Sequence, residues 1–120
     1  MANDVLVVDD DPDMVDAMLL VLGQAHFECR SAANGQQALE AVAERLPAVI
    51  LLDMLMPVMD GWHFAQELQA RYGHAVPIVV VTAAEHARVR SHEIGAVDVL
   101  SKPFNVTDLL AIVERYLPGP

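Results

Sequence analysis

Apolar, β-branched runs alternate along this chain with segments of helical period. The runs place strands over 4–9, 27–32, 48–53, 77–82 and 97–101, with helices over 12–25, 35–46, 61–73, 85–95 and 106–117. Asp11 followed by Pro12 reads as a cap and first helical position. Val15, Met18, Leu19 and Leu22 then fall on one face. Asn34 opens a stripe of Ala38, Leu39, Val42 and Leu46, and Asn105 one of Leu109, Leu110, Val113 and Leu117. Five β/α repeats predict an α/β fold, a parallel sheet covered by helices on both faces.

Strand chemistry suggests the order of the sheet. "VLVV", "AVILL" and "PIVVV" are apolar almost throughout, as strands buried on both faces are. "FECRS" alternates Phe27 and Cys29 with Glu28 and Arg30, and "VDVLS" carries Asp98, so strands 2 and 5 read as edges. This favours the doubly wound order 2-1-3-4-5, in which chemistry gathers at the carboxyl ends of the strands near strands 1 and 3.

Composition narrows the class. The 120 residues are one domain's worth, and with 54% apolar residues and 5% aromatic, the core must be aliphatic. A formal charge of −10 without a basic run argues against a nucleic-acid footprint. Cys29, the single cysteine, excludes a disulfide framework and reads as a small buried hydrophobe. No apolar run approaches membrane-spanning length and no signal-peptide pattern opens the chain, so a cytoplasmic protein is expected. The tail "YLPGP" reads as a domain end or, from 117 to 120, the start of a linker.

The strand ends carry the candidate chemistry. Strand 1 ends in Asp9 and Asp10, strand 3 in Asp53, strand 4 in Thr82, and strand 5 runs into Lys102. Carboxylates suit a hard cation such as Mg²⁺, an Asp can act as a nucleophile, and a hydroxyl and an ammonium can hold phosphoryl oxygens. Taken singly, the acids read as solvated helix starts, Thr82 as a strand-end hydroxyl and Lys102 as a surface ammonium; their joint placement favours chemistry. His26, His63, His74, His86 and His92 show no metal-ligand spacing and read as exposed, while Met54, Met56 and Met59 read as filler under a loop.

With "VLVVDDDPDM", "LLDMLMPVMDGW", "VVVTAA" and "GAVDVLSKPF" in this order, the whole chain resembles a response-regulator receiver domain of two-component signalling, with its flavodoxin-like (βα)5 fold. The resemblance implies Asp53 as phospho-acceptor from a phosphohistidine. It implies Mg²⁺ (or Mn²⁺) held by Asp10, Asp53 and the Leu55 carbonyl, with Asp9 acting through water, and Thr82 and Lys102 on the phosphoryl oxygens. Pro57 and Gly61 would shape the loop after strand 3, and the Lys102–Pro103 bond would be cis. Asp11 is left to helix capping. Implied partners are a sensor histidine kinase or histidine phosphotransfer protein and a downstream effector, with 83–117 as the output surface and 85–117 a candidate dimer face.

Two departures from the family pattern matter. Val99 stands where a switch aromatic is usual, so output would rely on the loop after Thr82 and the polar 85–95 segment. Leu55 and Ala84 are apolar and cannot orient an attacking water, which predicts a persistent phospho-form. The expected protein phosphorylates itself and dephosphorylates slowly rather than turning over a separate substrate. A dehalogenase-like phosphatase would need a second acid at Leu55, and nucleotide binding a Gly-rich loop in place of "DDDPDM". A phosphorylation-independent interaction module on the same fold is the remaining alternative.

Overall fold

The computed structural model describes residues 4–54, 59–83 and 94–117. The elements run β1 (Asp4–Val8), α1 (Pro12–Gln24), β2 (Glu28–Ala32), α2 (Gly35–Glu44), β3 (Val49–Asp53), α3 (Gly61–Tyr72), β4 (Ile78–Ala83), β5 (Asp98–Lys102) and α4 (Val106–Tyr116). All five strands pair in parallel, in the order β2-β1-β3-β4-β5.

The two-residue period of the strands divides the core. Leu6, Val8, Ile50, Leu52, Ile78 and Val80 project to one face, where they meet Ala38, Leu39 and Val42 of α2 and Phe64, Ala65 and Leu68 of α3. Val5, Val7, Val49, Leu51, Val79 and Val81 project to the other, against Val15, Met18 and Leu22 of α1 and Leu109, Ile112 and Val113 of α4. The register Leu6↔Ile50 and Ile50↔Ile78 keeps equivalent residues on one face. Each such aliphatic side chain, fully buried, contributes about 1.5–3 kcal/mol of transfer free energy.

Each helix starts on a short polar side chain. The carboxylate of Asp11 accepts from the amides of Asp13 and Met14, Asn34 Oδ1 from Gln37, Asp60 Oδ1 from His63 and Asn105 Oδ1 from Asp108. These bonds satisfy amides that no intrahelical carbonyl reaches. In a parallel β/α sheet such helix starts share one rim with the carboxyl ends of the strands, so their dipoles point positive ends at the acids there. Asp60 has a second tie: the His63 amide first, and then the His63 ring 2.9 Å away, hold its carboxyl below the usual carboxylate range.

Several expectations are corrected. Most elements begin or end one or two residues from the predicted limits. Leu46 does not extend the α2 stripe, because the helix stops at Glu44 and Arg45 turns to extended backbone, leaving Leu46 exposed. Leu19, Leu110 and Leu117 pack half-buried on the margin of the core, and Ile112 takes an inward position on α4. Cys29 is half-buried rather than enclosed, on the edge strand; burial, and then the nearby Asp4 carboxylate, push its thiol up. Of the predicted 85–95 helix, residues 85–93 lie outside the described residues, and Ile94 and Gly95 form a turn. His26, His63 and His74 are exposed, as expected, and Met54 is the buried filler its position predicts.

The far rim of the sheet holds a feature that the strand pattern does not announce. Asp4, 1% exposed at the start of β1, accepts from Arg30 Nε at 2.7 Å and Arg45 Nη2 at 3.5 Å. Arg30 also donates to the carbonyls of Ala41 at 2.7 Å and Arg45 at 2.6 Å. One guanidinium therefore ties β1, β2 and the carboxyl end of α2 together.

Candidate functional site

β1 delivers Asp9 and Asp10, β3 ends on Asp53, β4 carries Thr82 and β5 ends on Lys102. Asp9, Asp53 and Thr82 are buried, Lys102 is half-buried and Asp10 is exposed. One carboxylate oxygen from each of Asp9, Asp10 and Asp53 lies within 4.8 Å of the others. Like charges at that spacing repel by about 0.9 kcal/mol per pair in water and about 3.5 kcal/mol at an effective dielectric constant near 20. Lys102 Nζ stands 3.5 Å from Asp9 Oδ2, so its ammonium lies beside one of the three acids. Asp9 is further fixed by the Asp11 amide, which donates to its Oδ1 at 3.0 Å.

The opening acidic run divides in the structure. Asp9 and Asp10 join Asp53, while Asp11 turns away to cap α1. The donor set is all carboxylate, the chemistry that hard divalent cations prefer over softer metals. Thr82 lies beside Ser101 in the β4–β5 register, and Ala83 beside Lys102, which brings hydroxyl and ammonium to the same end of the sheet. The Lys102–Pro103 peptide is cis.

Gly61 shapes its loop by lack of bulk. Its amide donates to Met54 O at 3.1 Å. A Cβ there would stand 2.6 Å from Met54 Sδ, 2.8 Å from Met54 Cα and 3.2 Å from Asp53 O. Any larger residue would press on the backbone that carries Asp53. Leu55, Pro57 and Ala84 lie outside the described residues.

Val99 is half-buried on β5, where its amide donates to the Asp98 side chain. Asp98 in turn is bound by Tyr116 of α4, whose hydroxyl donates to Asp98 Oδ2 at 3.0 Å, beside Arg115 Nη1 at 2.9 Å from the same oxygen. Burial, then the Asp98 carboxylate, raise the Tyr116 phenol. Asp98 served the sequence reading only as the mark of an edge strand; its spacing from Arg115 and Tyr116 becomes meaningful once α4 is packed against β5.

Fold and rim together define a flavodoxin-like α/β domain whose acidic, hydroxyl and ammonium side chains converge on the carboxyl ends of its strands. A family profile described as the response regulator receiver domain matches residues 5–114. The chain belongs to that family, the receiver domains of two-component signalling. It is 37% identical over 119 residues to the transcriptional regulatory protein SrrA of Staphylococcus aureus, covering 98% of this chain and 48% of that protein. It is 36% identical over 113 residues to the DNA-binding transcriptional regulator NtrC of Escherichia coli, covering 92% of this chain and 24% of that protein. The chain therefore spans half or less of these curated relatives. Among solved structures, a putative response regulator from Chloroflexus aurantiacus superposes with a TM-score of 0.89 at 32% identity, covering 97% of this chain and 98% of that one. The chemotaxis protein CheY4 of Vibrio cholerae superposes with a TM-score of 0.87 at 30% identity, covering 98% and 100%. No helix among the described residues is long and apolar enough to cross a membrane.

Proposed function

We propose that this domain is a phosphorylation switch in which Asp53 accepts a phosphoryl group from a phosphohistidine of a sensor kinase or histidine phosphotransfer protein. The observation that carries the reading is the set of three carboxylates within 4.8 Å, faced by Lys102 at 3.5 Å from Asp9. An oxygen of Asp53 attacks phosphorus as the bond to the histidine nitrogen breaks, and that nitrogen is left to take a proton from water. Asp10 and Asp53, with Asp9 and, as the family implies, the Leu55 carbonyl, would hold Mg²⁺ or Mn²⁺, which would supply positive charge to offset that on the transferred group. Lys102 adds a point charge and Thr82 a hydroxyl donor to the phosphoryl oxygens. The domain promotes its own modification and turns over no separate substrate.

Output is assigned to residues 83–117. Val99 cannot swing a ring, so the signal would travel through the loop after Thr82. The effector lies elsewhere: SrrA and NtrC are longer proteins with transcriptional names, and a similar output region, attached or separate, is the proposed target here.

Intact mass after treatment with acetyl phosphate tests the reading. One added phosphoryl group is expected with Mg²⁺, none with a chelator, and loss of the adduct in hydroxylamine, as an acyl phosphate requires. An unlabelled protein, under conditions that label a known receiver, would favour the interaction module.

The metal assignment makes a separate prediction. Asp10→Asn should weaken Mg²⁺ binding by about tenfold or more, while raising the stability of the metal-free protein by roughly 2 kcal/mol as its repulsions with Asp9 and Asp53 are both removed. Thermal melts with and without Mg²⁺ check both signs. Unchanged Mg²⁺ stabilisation would remove Asp10 from the site.

A further inference from the structure

Gly35 opens α2, directly after its cap Asn34. Its amide is one of the helix-start donors without an intrahelical partner, and it donates to Met59 O at 3.2 Å. A Cβ at Gly35 would stand 2.6 Å from Met59 Cγ and 2.8 Å from both Met59 Cβ and Met59 O. Two of those three atoms belong to the backbone or its first side-chain carbon, so they cannot swing aside as the end of a flexible side chain could. Relieving the overlap needs a retreat of roughly 0.6–0.8 Å to reach ordinary van der Waals distance.

The helix itself does not ask for glycine here. Gly35 has no positive φ, and alanine is the better helix former. Glycine serves the space shared with Met59. Met59 is half-buried against the core under α2 and α3, and it is followed by Asp60, the cap of α3, and then by Gly61. Gly61 in turn lies against Met54 and the carbonyl of Asp53. Gly35, Met59, Gly61 and the Asp53–Met54 backbone therefore form an unbroken series of close approaches from the start of α2 to the phospho-acceptor.

We propose that Gly35 is a positioning residue for Asp53, acting through Met59 and Gly61. The inference rests on the acceptor role of Asp53 for its functional consequence, but the placement itself is a statement about structure. A displacement approaching 1 Å at a reacting carboxylate can cost up to about a hundredfold in rate. With part of the shift absorbed along the series, Gly35→Ala should slow phosphorylation by roughly tenfold.

The test compares Gly35→Ala, Gly35→Ala/Met59→Gly and Gly23→Ala. Gly23 is a control in α1, where a Cβ would meet nothing within 4 Å. Labelling rate with acetyl phosphate at saturating Mg²⁺, denaturant midpoint and the amide chemical shifts of Asp53, Met54 and Gly61 are read for each. The expected result is slow labelling and moved amides in Gly35→Ala, partial recovery of both in the double variant, where Met59 O still lies 2.8 Å from the added Cβ, and neither effect in Gly23→Ala. Wild-type labelling with unmoved Asp53 and Met54 amides in Gly35→Ala would overturn the proposal. So would slowing and amide shifts of equal size in Gly23→Ala. If the wild-type protein takes no phosphoryl group, the acceptor reading fails by itself, and the amide shifts still decide the placement: movement at Asp53 and Met54 supports it, and none overturns it.

Discussion

Asp53→Asn should take up no phosphoryl group from acetyl phosphate, a loss of at least about a hundredfold against wild type. The amide keeps the shape of the side chain and can still form hydrogen bonds, but it offers no carboxylate oxygen to form an acyl phosphate. Two other acids lie within 4.8 Å, so the variant also asks whether either can substitute as acceptor. Asp9 is poorly placed to do so, since one oxygen accepts from the Asp11 amide and the other faces Lys102. Asp10→Asn provides the contrast. On the proposed reading it keeps the nucleophile and loses a metal ligand, so raising Mg²⁺ should restore its labelling, whereas no Mg²⁺ concentration should rescue Asp53→Asn. Intact mass across a Mg²⁺ titration separates the two cases. An adduct on Asp53→Asn at the wild-type level would remove Asp53 from the centre of the mechanism.

The second large effect concerns stability. Arg30→Met should lower stability by about 3 kcal/mol, corresponding to roughly 12 °C in Tm for a domain of this size. Among the described residues, the substitution leaves the buried Asp4 with only Arg45 at 3.5 Å as a cationic partner, and Arg45 is itself largely exposed. It also strips donors from the Ala41 and Arg45 carbonyls at the end of α2. An isolated buried charge costs more than a matched pair returns, so Asp4→Leu added to Arg30→Met should recover part of the loss. Recovery stays incomplete because the two carbonyls are still without Arg30. Asp4 begins β1 at the opposite rim from Asp9, so the folded variant should still label at low temperature. A Tm within a few degrees of wild type would show that the cluster adds little to stability.

The sheet was legible because its signal is redundant. Val5, Val7, Val49, Leu51, Val79 and Val81 had to face one layer and Leu6, Ile50 and Ile78 the other, and edge strands announce themselves by polar residues such as Glu28. The site was legible for a related reason: in a parallel sheet the strand ends fall on one rim, so locating Asp9, Asp53, Thr82 and Lys102 at strand ends nearly places them in space. Helix limits were less legible, as at Leu46, because an apolar residue at the right spacing can follow a helix that has already stopped. Least legible were contacts made by what a residue lacks or by a partner distant in sequence. Gly35 matters through the atom it does not have. Asp4 reads as an ordinary polar start to a strand until β2 and α2 bring Arg30 and Arg45 to it.

Lys102 and Asp9 are 93 residues apart in the chain. Their meeting requires β5 to be laid on β4, and β4 on the β1–β3 pair, so this ion pair belongs among the long-range contacts whose chain-closure cost is repaid only once the sheet exists. A chain emerging from the ribosome can bring Asp9, Asp10 and Asp53 together before β5 has been made, yet it then holds three acids without their ammonium. The ammonium therefore reaches the acids only once β5 has been made and docked, and a chain cut before Lys102 would hold the three acids without it.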